Sequence, residues 1–319
     1  MQFNVILYQI CILGILVFIG IICSKRKILP ENSRLSIKSL VFYVTLPLLI
    51  VTSLSRLELN SEILKNGGLV IIFAYVAIFL QLFVGYVSAK LLKLNNIQAN
   101  LHIVHTFFGN IVFLGFPLID ALFPGGEALL YAAIYQFVTN TVLWTIGIFL
   151  ISEGDKRSKL KNMKKLINPN TVALSIGFLI MILRIKLPSI IFDSLGGLGK
   201  TTLYLAMIYI GLLLGESKIL SVLKRVQTFI LSFNKLFLIP VILIFMILGL
   251  QELFNFHFPF LPFSVVVLEA ATPCGAIMVI LAKQYGSDDK LAMENVILST
   301  ILSCISLPFI YFILETMVN

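Results

Sequence analysis

Gly109-Asn110-Ile111-Val112-Phe113-Leu114-Gly115-Phe116-Pro117-Leu118 lies inside an apolar run of roughly residues 100–122, long enough for a membrane-spanning helix. The stretch also carries an amide, two glycines and a proline. Pro117 has no backbone N–H, and in a continuous helix its ring would meet the carbonyl of residue 113. Asn110 is costly in hydrocarbon unless it finds a partner. The helix is therefore expected to be interrupted at mid-membrane, around Gly115-Phe116-Pro117. Broken backbone survives at that depth only where protein or a watery cavity covers it.

The rest of the chain makes the membrane reading general. Hydrophobic residues make up 59% of it, charged residues only 12%, and the mean hydropathy is +1.03. Soluble domains carry about 25% charged residues. The formal charge of +9 therefore reports orientation in a bilayer, and nucleic acid is not an expected partner. Cys11, Cys23, Cys274 and Cys304 form no C-x-x-C or Cys/His cluster, so neither zinc nor a disulfide framework is expected. Cys274 reads as a small buried apolar residue. The first apolar run lacks a basic leader and a small-residue cleavage site, which makes it a retained span.

Ten spans follow, with ends good to about three residues. They lie near 3–23, 36–55, 67–92, 100–122 and 127–151, then near 170–186, 198–215, 230–251, 261–282 and 291–316. Phe123-Pro124-Gly125-Gly126 reads as a tight turn. With the N-terminus outside, nineteen of the 24 Lys and Arg residues fall in cytoplasmic loops, Lys235 among them. Arg56, Lys65, Arg184, Lys186 and Lys200 fall outside. That asymmetry places both termini outside.

A basic cytoplasmic linker, 152–168, separates a first five-helix repeat, 1–151, from a second, 169–319. Five is odd, so the second half enters the membrane inverted, a plan common among transporters. Aligning Gly125 with Gly286 brings Gly115-Phe116-Pro117 within a few residues of Pro273-Cys274-Gly275. Interrupted spans at matching positions of two halves are the best sequence pointer to a transport site. Pro47, Pro240 and Pro308 read as simple kinks. Ser194-Leu195-Gly196-Gly197-Leu198-Gly199-Lys200-Thr201-Thr202 imitates a phosphate-binding loop, but Ser194 stands where glycine is required and no strand precedes it. It reads as an outer loop leading into the seventh span, and no nucleotide site is expected.

These motifs resemble those of the auxin efflux carrier family, which includes the plant PIN-formed auxin carriers and bacterial malonate and malate permeases. Asn110-Ile111-Val112-Phe113-Leu114-Gly115-Phe116-Pro117-Leu118 follows the family's N-x-x-x-x-G-x-P-L. Ala270-Ala271-Thr272-Pro273-Cys274-Gly275, with Leu281-Ala282-Lys283-Gln284-Tyr285 after it, is similar to A-A-x-P-x-G and the later A-K-x-Y. Leu46-Pro47-Leu48-Leu49 and Tyr209-Ile210-Gly211-Leu212 also look familial. The resemblance covers essentially the full length. It implies an all-α integral membrane fold of ten helices in a 5+5 inverted repeat, with spans 4 and 9 broken and crossed. It implies a scaffold of spans 1, 2, 6 and 7, a transport domain of spans 3–5 and 8–10, an elevator-like movement and a homodimer. Glu269 stands where the plant carriers tend to have an uncharged amide, which sets this chain apart from auxin-like uniport.

At each break, backbone groups lose their helical partners, and half-helix N-termini favour anions. Asn110, with backbone amides near Pro117 and Pro273, is the expected anion cradle, and Gly115 and Gly275 allow close approach. Thr272 belongs to the same candidate set. The competing role for Asn110 is an interhelical hydrogen bond. Gln136 and Asn140 share a face of span 5 and either line the path or bond to span 10; Gln81 on span 3 is a weaker candidate. Glu269 is the candidate carrier of a coupled proton or cation such as sodium; alternatively it lies nearer the outer end of its span, in water. His102 and His105 read as packing residues, and Gly211-x-x-x-Gly215 as close helix packing. The chain is thus expected to be a plasma-membrane secondary transporter of a small organic anion, a dicarboxylate or an auxin-like carboxylate. It is not expected to be an enzyme, and no metal or cofactor is expected. The alternative is a cation–proton antiporter of similar crossed-helix architecture. A receptor or lipid enzyme would need a sensor domain or a nucleophile or metal constellation.

Overall fold

Apolar composition becomes helix almost throughout the computed structural model, which describes residues 2–30, 33–58, 60–152, 168–215 and 225–318. Most of the basic linker, 153–167, lies outside the described residues. In chain order the described helices are α1 (Gln2–Lys25), α2 (Ser33–Leu54), α3 (Ser61–Leu91), α4 (Asn96–Phe107), α5 (Ile111–Leu122) and α6 (Glu127–Ile151). They continue as α7 (Pro169–Ile182), α8 (Ser189–Gly215), α9 (Val226–Phe254), α10 (Phe260–Ala270), α11 (Ile277–Gln284) and α12 (Asp289–Val318). Among the described residues, six helices are long and apolar enough to cross a membrane: α2, α3, α6, α8, α9 and α12. The protein is accordingly an all-helical, multi-pass membrane protein. The Phe123–Gly126 turn forms as the sequence indicates, with Gly125 and Gly126 both at positive φ.

Prolines explain a recurring local feature. Val41–Thr45, Ile111–Gly115 and Asn234–Leu238 are wide π-helical turns, and each is followed at once by Pro47, Pro117 or Pro240 in the first turn of regular helix. In α2 the Leu46 N–H reaches back five residues to Val41 O, and in α9 the Ile239 N–H reaches Asn234 O. A widened turn moves the carbonyl four residues before the proline away from its ring, so the helix continues through. This corrects the expected break at Gly115-Phe116-Pro117. Pro117 starts a helical segment, where its missing N–H costs nothing, and the backbone leaves helix earlier, at residues 108–110.

The described chain divides into two compact units. The first comprises residues 1–67, 112–134 and 167–217. Its helices pack through glycines. A Cβ on Gly20 would strike the backbone of Ile208 and Gly211, and one on Gly199 would lie 2.8 Å from Leu49 N. Gly215 likewise abuts Ser24, and Gly177 the Leu54 side chain. The glycine-rich segment 194–202 is therefore interior to α8, not an outer loop, because its glycines serve helix contact. The second unit comprises residues 68–111, 135–166 and 218–319. Its core includes Phe73 stacked on Phe256 and Phe258, and it contains nearly all the polar residues discussed next.

Candidate functional site

Two chain interruptions meet inside the second unit. The α4 helix stops at Phe107, Phe108 turns extended, and α5 begins at Ile111. The α10 helix stops at Ala270, and α11 begins at Ile277. Gly109 and Cys274 form an isolated antiparallel bridge. The Asn110 N–H donates to Pro273 O at 2.7 Å, and the Gly275 N–H donates to Phe108 O at 3.1 Å. Two glycines make this approach feasible: a Cβ on Gly109 would strike Thr272 Oγ1, and one on Gly275 would lie 2.6 Å from the Phe108 ring.

Each interrupted helix leaves carbonyls without N–H partners at its end, and the protein supplies a donor for most of them. At the end of α4, the buried Lys235 ammonium on α9 donates to Thr106 O at 2.9 Å. The Cys274 thiol lies 3.7 Å from His105 O. At the end of α10, the buried Gln81 amide on α3 donates to Ala270 O at 3.0 Å, and the Thr272 hydroxyl donates to Glu269 O at 2.7 Å. The Cys274 N–H donates to Ser299 Oγ on α12 at 3.0 Å, and that hydroxyl passes its own proton to Asn295 O. A polar clamp in a low-dielectric interior is stable only when satisfied in this way.

Seven of the sequence-predicted residues fall in this unit. Asn110, Thr272, Pro273 and Gly275 are buried at the paired interruption. Gln136 and Asn140 are buried on α6. Glu269 is 1% exposed, so it is an interior group and not one in water at the end of its span. Neither of its carboxyl oxygens has a hydrogen-bond partner. Gly115 and Pro117 belong to the first unit, where they mark the passage within α5 from the wide turn to regular helix. The amides of Asn110, Cys274 and Gly275 are already bonded to protein, so they are not the free donors the sequence led us to expect. His102 meets the Ser88 hydroxyl at 2.8 Å, as a packing residue would.

Lys235 is the buried residue at the paired interruption that the sequence reading misplaces. It is not in a cytoplasmic loop: it is fully buried in the wide turn of α9. Moving it inward leaves the loop asymmetry almost untouched. The signal was present, because Lys235 follows Phe229-Ile230-Leu231-Ser232-Phe233 and sits five residues before Pro240. Ser299 gave no such signal, since a serine in an apolar helix is unremarkable until its partner is known. An open hollow of about 420 Å³ is lined by Leu92, Leu94, Gln98, Arg225, Val226 and Gln227, none of them a predicted site residue.

A sequence-family model described as "Membrane transport protein" matches residues 5–311. An uncharacterized transporter of Methanocaldococcus jannaschii is 25% identical, the match covering 92% of this chain and 94% of that protein. An uncharacterized transporter of Methanothermobacter thermautotrophicus is 28% identical, covering 92% of this chain and 93% of its own length.

Proposed function

The chain belongs to the membrane transport protein family, that of the auxin efflux carrier-like transporters, and from this premise we propose that it is a secondary transporter of a small organic anion. The substrate class is a dicarboxylate such as malonate or malate, or an auxin-like carboxylate. The observation that carries this reading is the Gly109–Cys274 pairing, which holds buried Asn110 against Pro273 through its backbone N–H. A buried side-chain amide offers N–H donors, one of which can reach a carboxylate oxygen. With the amides of 110, 274 and 275 bonded internally, the backbone share of the cradle falls to the first turn of α11. Gln136 and Asn140 line the path from α6.

The architecture completing this reading is ten spans in a 5+5 inverted repeat, with both termini outside. The interruptions of spans 4 and 9 form the crossing. Spans 1, 2, 6 and 7 act as scaffold in a plasma-membrane homodimer, and the remainder moves as an elevator. The partition into two compact units supports a division of this kind except at residues 112–134 of spans 4 and 5, which group with spans 1, 2, 6 and 7; the exchange of caps supports it too. Span 3 caps the break in span 9 through Gln81, and span 8 caps the break in span 4 through Lys235. A cation–proton antiporter is less well supported, since Glu269 is the sole acidic residue at the interruption among the described residues.

Purified protein in proteoliposomes, offered labelled malonate, malate and indole acetate under imposed pH, sodium and voltage gradients, tests the proposal. Saturable uptake of one of them is expected. No saturable uptake of any organic anion overturns it. Asn110→Ala is expected to raise the apparent KM about tenfold, the loss of roughly one charge-assisted hydrogen bond.

A further inference from the structure

The two ends of the paired interruption are capped alike in geometry but not in charge. At the α4 end, Lys235 brings a positive charge on a side chain. Buried groups without a partner lie at both ends: at the α4 end both ring nitrogens of His105, and at the α10 end, where Gln81 brings a neutral amide, a set of oxygens that includes the carboxyl of Glu269. Glu269 is 1% exposed, and both its oxygens are without a donor. Gln81 is 0% exposed; its Nε2 is committed to Ala270 O, which fixes the amide orientation, and its Oε1 has no partner. The buried Tyr135 hydroxyl, also without a partner, lies within electrostatic range of Glu269. Among the described residues no lysine, arginine or histidine forms an ion pair with Glu269. All three residues belong to the second unit, on α3, α6 and α10.

We propose that this end binds a monovalent cation, sodium, through the Glu269 carboxylate and Gln81 Oε1. The ligand set is oxygen only, which selects a hard cation. One carboxylate balances one positive charge; a divalent ion would leave a net charge buried, which is strongly unfavourable. A proton on Glu269 would neutralise it but add a single donor, enough for one acceptor such as Gln81 Oε1, whereas a cation satisfies lone pairs of the carboxylate and of Gln81 Oε1 together. The Tyr135 hydroxyl can donate to the carboxylate beside the ion. Sodium here does at the α10 end what the Lys235 ammonium does at the α4 end. That sodium is a coupling ion rests on the organic-anion reading above; that it binds does not.

The test uses the full-length protein in detergent with no organic anion present. Thermal unfolding is followed while choline chloride is replaced by sodium chloride at constant ionic strength, and binding of radioactive sodium is measured directly. A saturable rise in Tm with sodium is expected, together with stoichiometric, displaceable binding. Glu269→Gln and Gln81→Leu should each weaken sodium binding at least about tenfold while keeping a single cooperative transition in choline. If Glu269→Gln fails to fold, Gln81→Leu, which leaves the carboxylate in place, decides alone. Wild-type protein indifferent to sodium overturns the proposal. So does sodium binding that survives in the variants, or a pH response abolished by Glu269→Gln without any sodium response, which would assign a proton to the site. Failed anion uptake with intact sodium binding would sink the transport substrate and spare the cation site; the converse result separates them the other way.

Discussion

The end of α4 and the end of α10 face one physical problem and solve it with different charges. Both helices stop in an apolar interior, and both expose carbonyls that water cannot reach. Lys235 answers at one end with an ammonium, Gln81 at the other with an amide. A buried lysine is expensive to keep and, once kept, cannot leave. An amide is cheap, but it brings no charge to meet the carboxylate one residue before its carbonyl partner. With the proposed sodium site, the difference separates a permanent, structural charge from a place where charge can come and go. An ion bound there could couple to transport only through differential interaction with two states.

The largest effect should follow from removing the fixed charge. Lys235→Met retains most of the stem but strips the donor from Thr106 O, and should destabilise the protein by about 1.5–3 kcal/mol, the range for a hydrogen bond to a charged group. Uptake should fall to background. Gln81→Met, measured in choline, should cost only about 1 kcal/mol. Denaturation of both variants in one detergent gives the ratio. Equal losses would break the comparison and make the two caps equivalent.

A middle-sized effect should come from making the ends alike. Gln81→Lys places a tethered ammonium where the cation is proposed to sit. This variant should unfold in choline at about the temperature the wild type reaches in sodium, and should no longer respond to sodium. Sodium-dependent unfolding that persists in Gln81→Lys would show the ion binds elsewhere.

Much of this was legible in the chain, and the limits are specific. Membrane class and helix positions follow from long apolar runs, which one sequence displays openly. The pairing of two interruptions followed from Pro117 and Pro273 at matching places, but the position of the first was read about six residues late. In the sequence the proline looks like the cause of the break, whereas a π-helical turn absorbs Pro117 and the interruption lies where Gly109 closely approaches Thr272. Glycine packed against a residue 163 positions away leaves no local trace. Lys235 was misread for a different reason. Counting charges in loops assumes that every lysine near a span end is in water, and a lysine held by a carbonyl from another helix breaks that assumption. Glu269 stands out in the sequence because an acid inside an apolar run is conspicuous whatever surrounds it, and the structure places it in the interior.

The smallest effect concerns Thr272, a candidate whose side-chain chemistry the structure narrows. A hydroxyl has one proton, and Thr272 gives it to Glu269 O at 2.7 Å. It therefore has no proton for a substrate carboxylate, and only lone pairs remain, which suit a cation or a donor. Glu269 O also accepts the Thr272 N–H at 3.3 Å, so removing the hydroxyl does not orphan the carbonyl. Thr272→Val, close to isosteric, should cost about 1 kcal/mol or less in stability. It should leave the apparent KM for the organic anion within about twofold, against the tenfold rise expected for Asn110→Ala. Uptake kinetics of the two variants side by side test this. A rise with Thr272→Val as large as with Asn110→Ala would mean the hydroxyl turns from Glu269 O to the substrate. The α10 end would then bind both the anion and the cation, and the division of labour between the two ends would fail.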